Sequence, residues 1–218
     1  VALDMTMAFD LCKFSTLFQK IEPKLPAVVT RLLIHAYEEQ YAWVRWGSSK
    51  STEFRIVNGT RQGSVLSPAL FTVYVQELLD RLQALGAGCH IGATYLGAVA
   101  WADDFLLTAP CRGAMQQMLD VASAYAAEVG LKFSTDPDPV KSKSKAVFMV
   151  GRQRNLAKPA PLFLSGKALP YVPHATHLGH EFHESGTMEM DTRMRRGSYI
   201  SRSLEVQDAF TFAAPAET

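Results

Sequence analysis

The sequence has no run of about 18 consecutive apolar residues, so a membrane-spanning helix is excluded. A cationic start followed by a short apolar stretch is also missing, so no secretory signal is read. Cysteine is scarce: Cys12, Cys89 and Cys111 show no CxxC spacing, which argues against a disulfide framework or a zinc knuckle and for reduced thiols inside a cell. Net charge is only +1, so no global basic field advertises a polyanion partner. Internal repeats and low-complexity tracts are absent. With 218 residues, 48% of them hydrophobic and 20% charged, the composition is that of an ordinary globular chain able to build a real core. Val1 starts directly in an apolar stretch and the chain is still apolar over Phe210-Thr211-Phe212-Ala213-Ala214-Pro215, close to its last residue, so the sequence reads as a piece of something longer.

Local features stand out against this neutral background. Asp103-Asp104 separates the apolar runs Gly97–Ala102 and Phe105–Leu107, which predicts a β-hairpin with two acids at its tip. Carboxylates about 5–6 Å apart repel by roughly 3 kcal/mol at an effective dielectric of ~20, so solvent or a cation must relieve them. Asp4 ends another apolar run, Val1–Leu3. Acids on neighbouring strand ends suit hard divalent ions and phosphoryl transfer. An isolated Asp-Asp is more often a solvated turn, and Asp10 reads best as a helix cap. Basic residues gather between Lys132 and Lys158 and again at Arg193, Arg195, Arg196 and Arg202; solvated faces are the default, phosphate contacts the sharper alternative. His174, His177, His180 and His183 recur every third residue, but Pro173 and Gly179 oppose a helix, and on a strand that spacing alternates faces.

Periodicity predicts a strand over Val1–Met5 and helices near Leu11–Lys20 and Val28–Tyr41. Two strands, Ala42–Trp46 and Glu53–Val57, follow around a polar turn. A long helix over Leu66–Leu85 has Ser64 or Ser67-Pro68 at its start and is stopped by Gly86. The acidic hairpin falls within Ile91–Thr108, a helix over Gly113–Val129 ends at Gly130, and Leu131–Phe133 and Ala146–Val150 are strand-like. A hairpin around Ser165-Gly166 and a basic helix near Met190–Val206 complete the chain. This order predicts an α+β fold with a mostly antiparallel sheet packed on helices.

Three strings together resemble the reverse transcriptase of a non-LTR (LINE-like) retrotransposon. Leu3-Asp4-Met5-Thr6-Met7-Ala8-Phe9-Asp10 is similar to the family's motif A, residues 59–71 (Gly59-Thr60-Arg61-Gln62-Gly63-Ser64-Val65-Leu66-Ser67-Pro68-Ala69-Leu70-Phe71) follow motif B, and Ala100-Trp101-Ala102-Asp103-Asp104 stands at motif C. Gly130–Phe133 with Lys141-Ser142 resembles motif D, and His177-Leu178-Gly179 resembles motif E. The resemblance implies a right-hand polymerase palm over residues 1–160 and, over 161–218, the motif E hairpin and the start of a helical thumb. It further implies an RNA template, a DNA primer and dNTP as partners, two Mg²⁺ (or Mn²⁺) ions, no membrane, and a nuclear site of action. Asp4, Asp103 and Asp104 would hold the metal ions. Met5, Phe9, Arg61, Gln62 and Gly63 would lie along the nucleotide, with the Phe9 ring as a gate against a ribose 2′-hydroxyl. Lys141, with Lys143 as the alternative, would protonate the leaving pyrophosphate. Met7 stands where the family usually has Lys, Trp101 where it has Tyr or Phe, and the fingers that precede motif A are not in the sequence. The competing expectation is therefore an inactive retroelement remnant, at most a nucleic-acid-binding fragment.

Overall fold

A computed structural model describes residues 1–61, 63–136, 138, 140–149, 157, 159–187 and 189–212. The chain opens with strand β1 (Ala2–Asp4), helix α1 (Phe14–Ile21) and helix α2 (Ala27–Glu38). Four two-residue strands follow, β2 (Tyr41–Ala42), β3 (Arg45–Trp46), β4 (Ser49–Lys50) and β5 (Phe54–Arg55), which fold back on one another as a single ragged hairpin. Helix α3 (Ser67–Leu85) comes next, then the short hairpin β6 (His90–Ile91) and β7 (Thr94–Tyr95). Strands β8 (Ala98–Trp101) and β9 (Asp104–Leu107) carry the paired acids, and helix α4 (Arg112–Val129) follows them. Hairpins β10 (Leu162–Leu164)–β11 (Lys167–Leu169) and β12 (His174–His177)–β13 (His180–His183) precede helix α5 (Glu189–Phe212). Every strand pair in this list is antiparallel, so the expected α+β class holds.

Two compact units emerge. The first holds residues 1–146 and 159–170; the described part of the second includes β12, β13 and α5. In the first unit the sheet runs in the order β1-β9-β8. Its apolar floor, including Phe105 and Leu107, is fully buried, as are Leu17 of α1, Phe71, Tyr74, Leu78 and Leu82 of α3, and Met118, Leu119 and Tyr125 of α4. Each such side chain contributes about 1.5–3 kcal/mol through its removal from water. The Tyr74 hydroxyl accepts from the Lys13 amide at 3.3 Å and donates to the Val129 carbonyl at 2.6 Å, so one buried phenol ties α1 and α4 to α3. Both long helices stop where expected, with Gly86 and Gly130 in the left-handed region.

Three expectations need correction. Leu131–Phe133 and Ala146–Val150 do not form continuous strands; Phe133 and Lys145 make isolated bridges to Met5 and Ala2. The reason is geometric, because β1 is only three residues long and its free edge is divided between the two segments. Asp10 does not cap the first helix, which begins at Phe14 with Lys13 in the cap position. The predicted Ser caps on α3 are also not side-chain caps: Leu66 occupies that position, and the Ser67 hydroxyl donates instead to the Arg61 carbonyl at 2.5 Å. Among the described residues no helix is long and apolar enough to cross a membrane.

Candidate active site

The site begins with register. Strand β1 pairs with β9 so that Asp4 lies opposite Asp104, and β9 pairs with β8 so that Trp101 lies opposite Asp104. A two-residue loop, Ala102-Asp103, joins β8 to β9. Only Ala102 of that pair has positive φ, 53°, the pattern of a turn whose first central position favours glycine. All three acids therefore share one end of the three-stranded sheet. Asp103 and Asp104 are half-buried there, and Trp101 is 70% exposed beside them.

Asp4 is held from behind. The Ser144 hydroxyl accepts from the Asp4 amide at 3.1 Å and faces the Asp4 carbonyl at 3.4 Å, and the Ser134 amide donates to the same carbonyl at 2.8 Å. Ser144 is fully buried and its carbonyl is held by the Ser142 hydroxyl at 2.6 Å. These contacts fix the backbone and leave the carboxylate free to act. Its Oδ2 atom is buried without a hydrogen-bond partner, and the Lys143 ammonium stands 3.8 Å away, an ion-pair distance. Burial pushes the Asp4 carboxyl above its usual range, Lys143 opposes that shift, and the charges of Asp103 and Asp104 reinforce it.

A second group of predicted residues meets at a cavity of about 340 Å³ lined by Phe9, Gly63, Ser64, Ser67 and Pro68. That volume lies in the range of small-molecule sites, ~300–1,000 Å³. Phe9 rests against Phe71 with ring centroids 4.7 Å apart, so α3 sets the position of the cavity wall. Gly63 has φ +81°, which β-carbon-bearing residues rarely adopt, and open space where a β-carbon would stand. Arg61 is exposed, with its carbonyl held by Ser67. Met5 is buried and is not among the residues that line the cavity. Gln62 lies outside the described residues.

Of the two lysines weighed from sequence, Lys143 is the one brought to Asp4. Lys141 sits on a turn closed onto the Asp138 carbonyl and forms no ion pair among the described residues. Ser144 was missed entirely. Its signal was present in the strict alternation Lys141-Ser142-Lys143-Ser144-Lys145, which places both serines inward and Lys143 outward.

Hard oxygen donors with a buried, uncommitted lone pair fit a divalent cation of the magnesium class better than a soft metal. Among the described residues no cluster of three or more His, Cys, Asp or Glu side chains is already set to hold a metal ion.

Comparisons with known proteins agree with the motifs. The reverse transcriptase (RNA-dependent DNA polymerase) family matches residues 1–153. A retrovirus-related Pol polyprotein from the type-1 retrotransposable element R2 of Nasonia vitripennis is 26% identical over 194 residues, 86% of this chain and 18% of that protein. The Pol polyprotein from the type-2 element R2DM of Drosophila melanogaster is 30% identical over 135 residues, 62% of this chain and 13% of that protein. A putative 115 kDa protein in the element R1DM of the same fly is 30% identical over 138 residues. The chain thus spans less than a fifth of the length of these relatives.

Proposed function

The chain belongs to the reverse transcriptase family, and on that premise we propose that it is the palm and the start of the thumb of a non-LTR element's RNA-directed DNA polymerase. The palm is assigned to residues 1–160, and the motif E hairpin and partial thumb to residues 161–218. The observation that carries the reading is the register that sets Asp4 against Asp104 with Asp103 one residue away on the turn.

The substrates follow from that assignment: an RNA template, a DNA primer and dNTP. The primer 3′-oxygen attacks the α-phosphorus, the bond to the bridging oxygen breaks, and pyrophosphate leaves. Asp4, Asp103 and Asp104 would hold two divalent ions, which when bound acidify the attacking hydroxyl and screen the triphosphate charge. Phe9 and Gly63 bound the nucleotide, the ring excluding a 2′-hydroxyl and the glycine letting the backbone approach. We assign protonation of the leaving pyrophosphate to Lys143 in preference to Lys141, because only Lys143 stands beside Asp4. The nucleus, where such elements insert, is the proposed site of action.

Primer extension on an RNA template with Mg²⁺ or Mn²⁺ tests this reading, comparing the chain with Asp103→Asn. Extension that vanishes in the variant is the expected result. Extension that survives Asp103→Asn removes the assigned acids from the reaction. No extension from either protein favours the inactive-remnant reading, which the Met7 and Trp101 departures motivate.

A further inference from the structure

The ragged hairpin from Tyr41 to Arg55 carries a surface that the catalytic assignment does not use. Tyr41, Trp43 and Arg45 alternate along its outgoing limb and share one face. Arg45 lies directly opposite Lys50, and Tyr41 directly opposite Arg55. Lys50 and Arg55 are five residues apart and would point to opposite faces of a regular strand. Between the two paired segments, however, Val44 meets Ser51 and Ala42 meets Phe54, so Thr52 and Glu53 together oppose Trp43. That extra residue is a β-bulge, a device that re-aims side chains, and it returns Lys50 and Arg55 to the same face.

The result is a row of two aromatics and three cations on one side of the hairpin. The Lys50 ammonium lies 3.6 Å from the centroid of the Trp43 ring, while Tyr41 and Trp43 remain about half exposed. Like charges directly opposite on a sheet are destabilising, yet Arg45 faces Lys50. No acid forms an ion pair with Arg45, Lys50 or Arg55 among the described residues. Among the described residues each arginine donates only its Nε hydrogen, to the Gly47 carbonyl at 3.3 Å and to the Glu38 carbonyl at 2.9 Å. An anion is the missing partner for the cations, while the Tyr41 ring and the Trp43 ring, which Lys50 covers on one side, both keep about half of their surface open to a flat partner.

We propose that this face binds single-stranded nucleic acid, with phosphates on Arg45, Lys50 and Arg55 and unstacked bases on Tyr41 and Trp43. Binding of this kind is tolerant of sequence, because every base offers a π-face. The polymerase reading is needed only to name the strand as template; the binding itself does not depend on catalysis.

The test is fluorescence anisotropy without divalent ions, using labelled oligouridine of about 20 nucleotides and a blunt duplex of the same length as comparison. Arg45→Gln/Lys50→Gln should weaken oligouridine binding about tenfold and lower the slope of log K against log salt by ~1.4, about 0.7 per lost contact. Trp43→Ala should weaken it at least about fivefold. The double variant should melt no lower than the parent, since it removes a repulsive pair. Unchanged oligouridine affinity in both proteins overturns the proposal, as does an equal loss for the duplex. A change in sedimentation without a change in oligouridine affinity would identify the face as a protein-docking surface and overturn it as well. Asp103→Asn should bind oligouridine like the parent, so a protein that binds but never extends sinks the polymerase reading and leaves this one standing.

Discussion

Replacing Asp4 by Asn should make the protein more stable while abolishing nucleotidyl transfer. The carboxylate is 22% exposed, and its Oδ2 atom is buried with no hydrogen bond. Leaving such an oxygen unsatisfied costs about 1–3 kcal/mol. Lys143 returns little, because its side chain is 72% exposed and solvent-screened pairs are worth about 0–1 kcal/mol. An amide of the same shape still places an unpaired polar atom there, but it removes the buried charge and its repulsion by Asp103 and Asp104, a gain of about 1 kcal/mol at neutral pH; for a chain of this length that corresponds to a rise in Tm of about 2–4 °C. Ser144 and Ser134 hold the Asp4 backbone, not its side chain, so those contacts survive the exchange.

The pH dependence carries a definite sign. Burial raises the folded-state pKa of Asp4 above the ordinary 3.8. Stability gained from the protonated form is therefore fully present below that value and lost as pH rises through the raised one. The gap between Asp4→Asn and the parent should be near zero at about pH 3 and open as pH climbs towards neutrality. Scanning calorimetry across that range, paired with primer extension at neutral pH, measures both halves. An Asn variant that melts at or below the parent at neutral pH, or a gap that ignores pH, refutes the reasoning. A site that costs the fold stability is what a cation-binding or catalytic role demands.

Other outcomes follow from the same geometry. Lys143→Met should slow extension by at least about tenfold, within the usual reach of lost general acid catalysis, while Lys141→Met should leave most activity; equal effects would undo the choice between them. Ala102→Gly should raise stability by about 1 kcal/mol, because it relieves a left-handed φ that alanine tolerates poorly; a lower Tm would show that the methyl group packs usefully. Ser144→Ala should lower stability by about 1–3 kcal/mol by leaving the buried Asp4 amide unpaired, and an unchanged denaturation midpoint would dismiss it as a clip.

Much of this architecture was legible because short-range chemistry decides it. Gly86 and Gly130 ended their helices as read, and the apolar flanks located the hairpin to within one residue: its two-residue turn holds Asp103, while Asp104 opens β9. What escaped the sequence depends on long-range partners. Nothing local says that β1 shares its free edge between Lys145 and the segment 132–134, and that division broke two expected strands into bridges. Lys143 outranks Lys141 only because Ser142 and Ser144 turn inward beneath Asp4. The aromatic and basic face of the ragged hairpin was hidden by a bulge, since a count of two along Lys50 and Arg55 places them on opposite sides.

The clip between Asp4 and Ser144 also sets an order of events during synthesis. The two residues are separated by 140 positions, so at a translation rate of about 5–20 residues per second Asp4 waits roughly 7–28 s before Ser144 exists. Helices α1 and α3, whose contacts are more local, have that interval in which to pack. The acidic end of the sheet is thus finished later than the helices packed on it, and a ribosome-bound chain stalled before Ser134 would carry all three acids without either of the segments that hold the first in place.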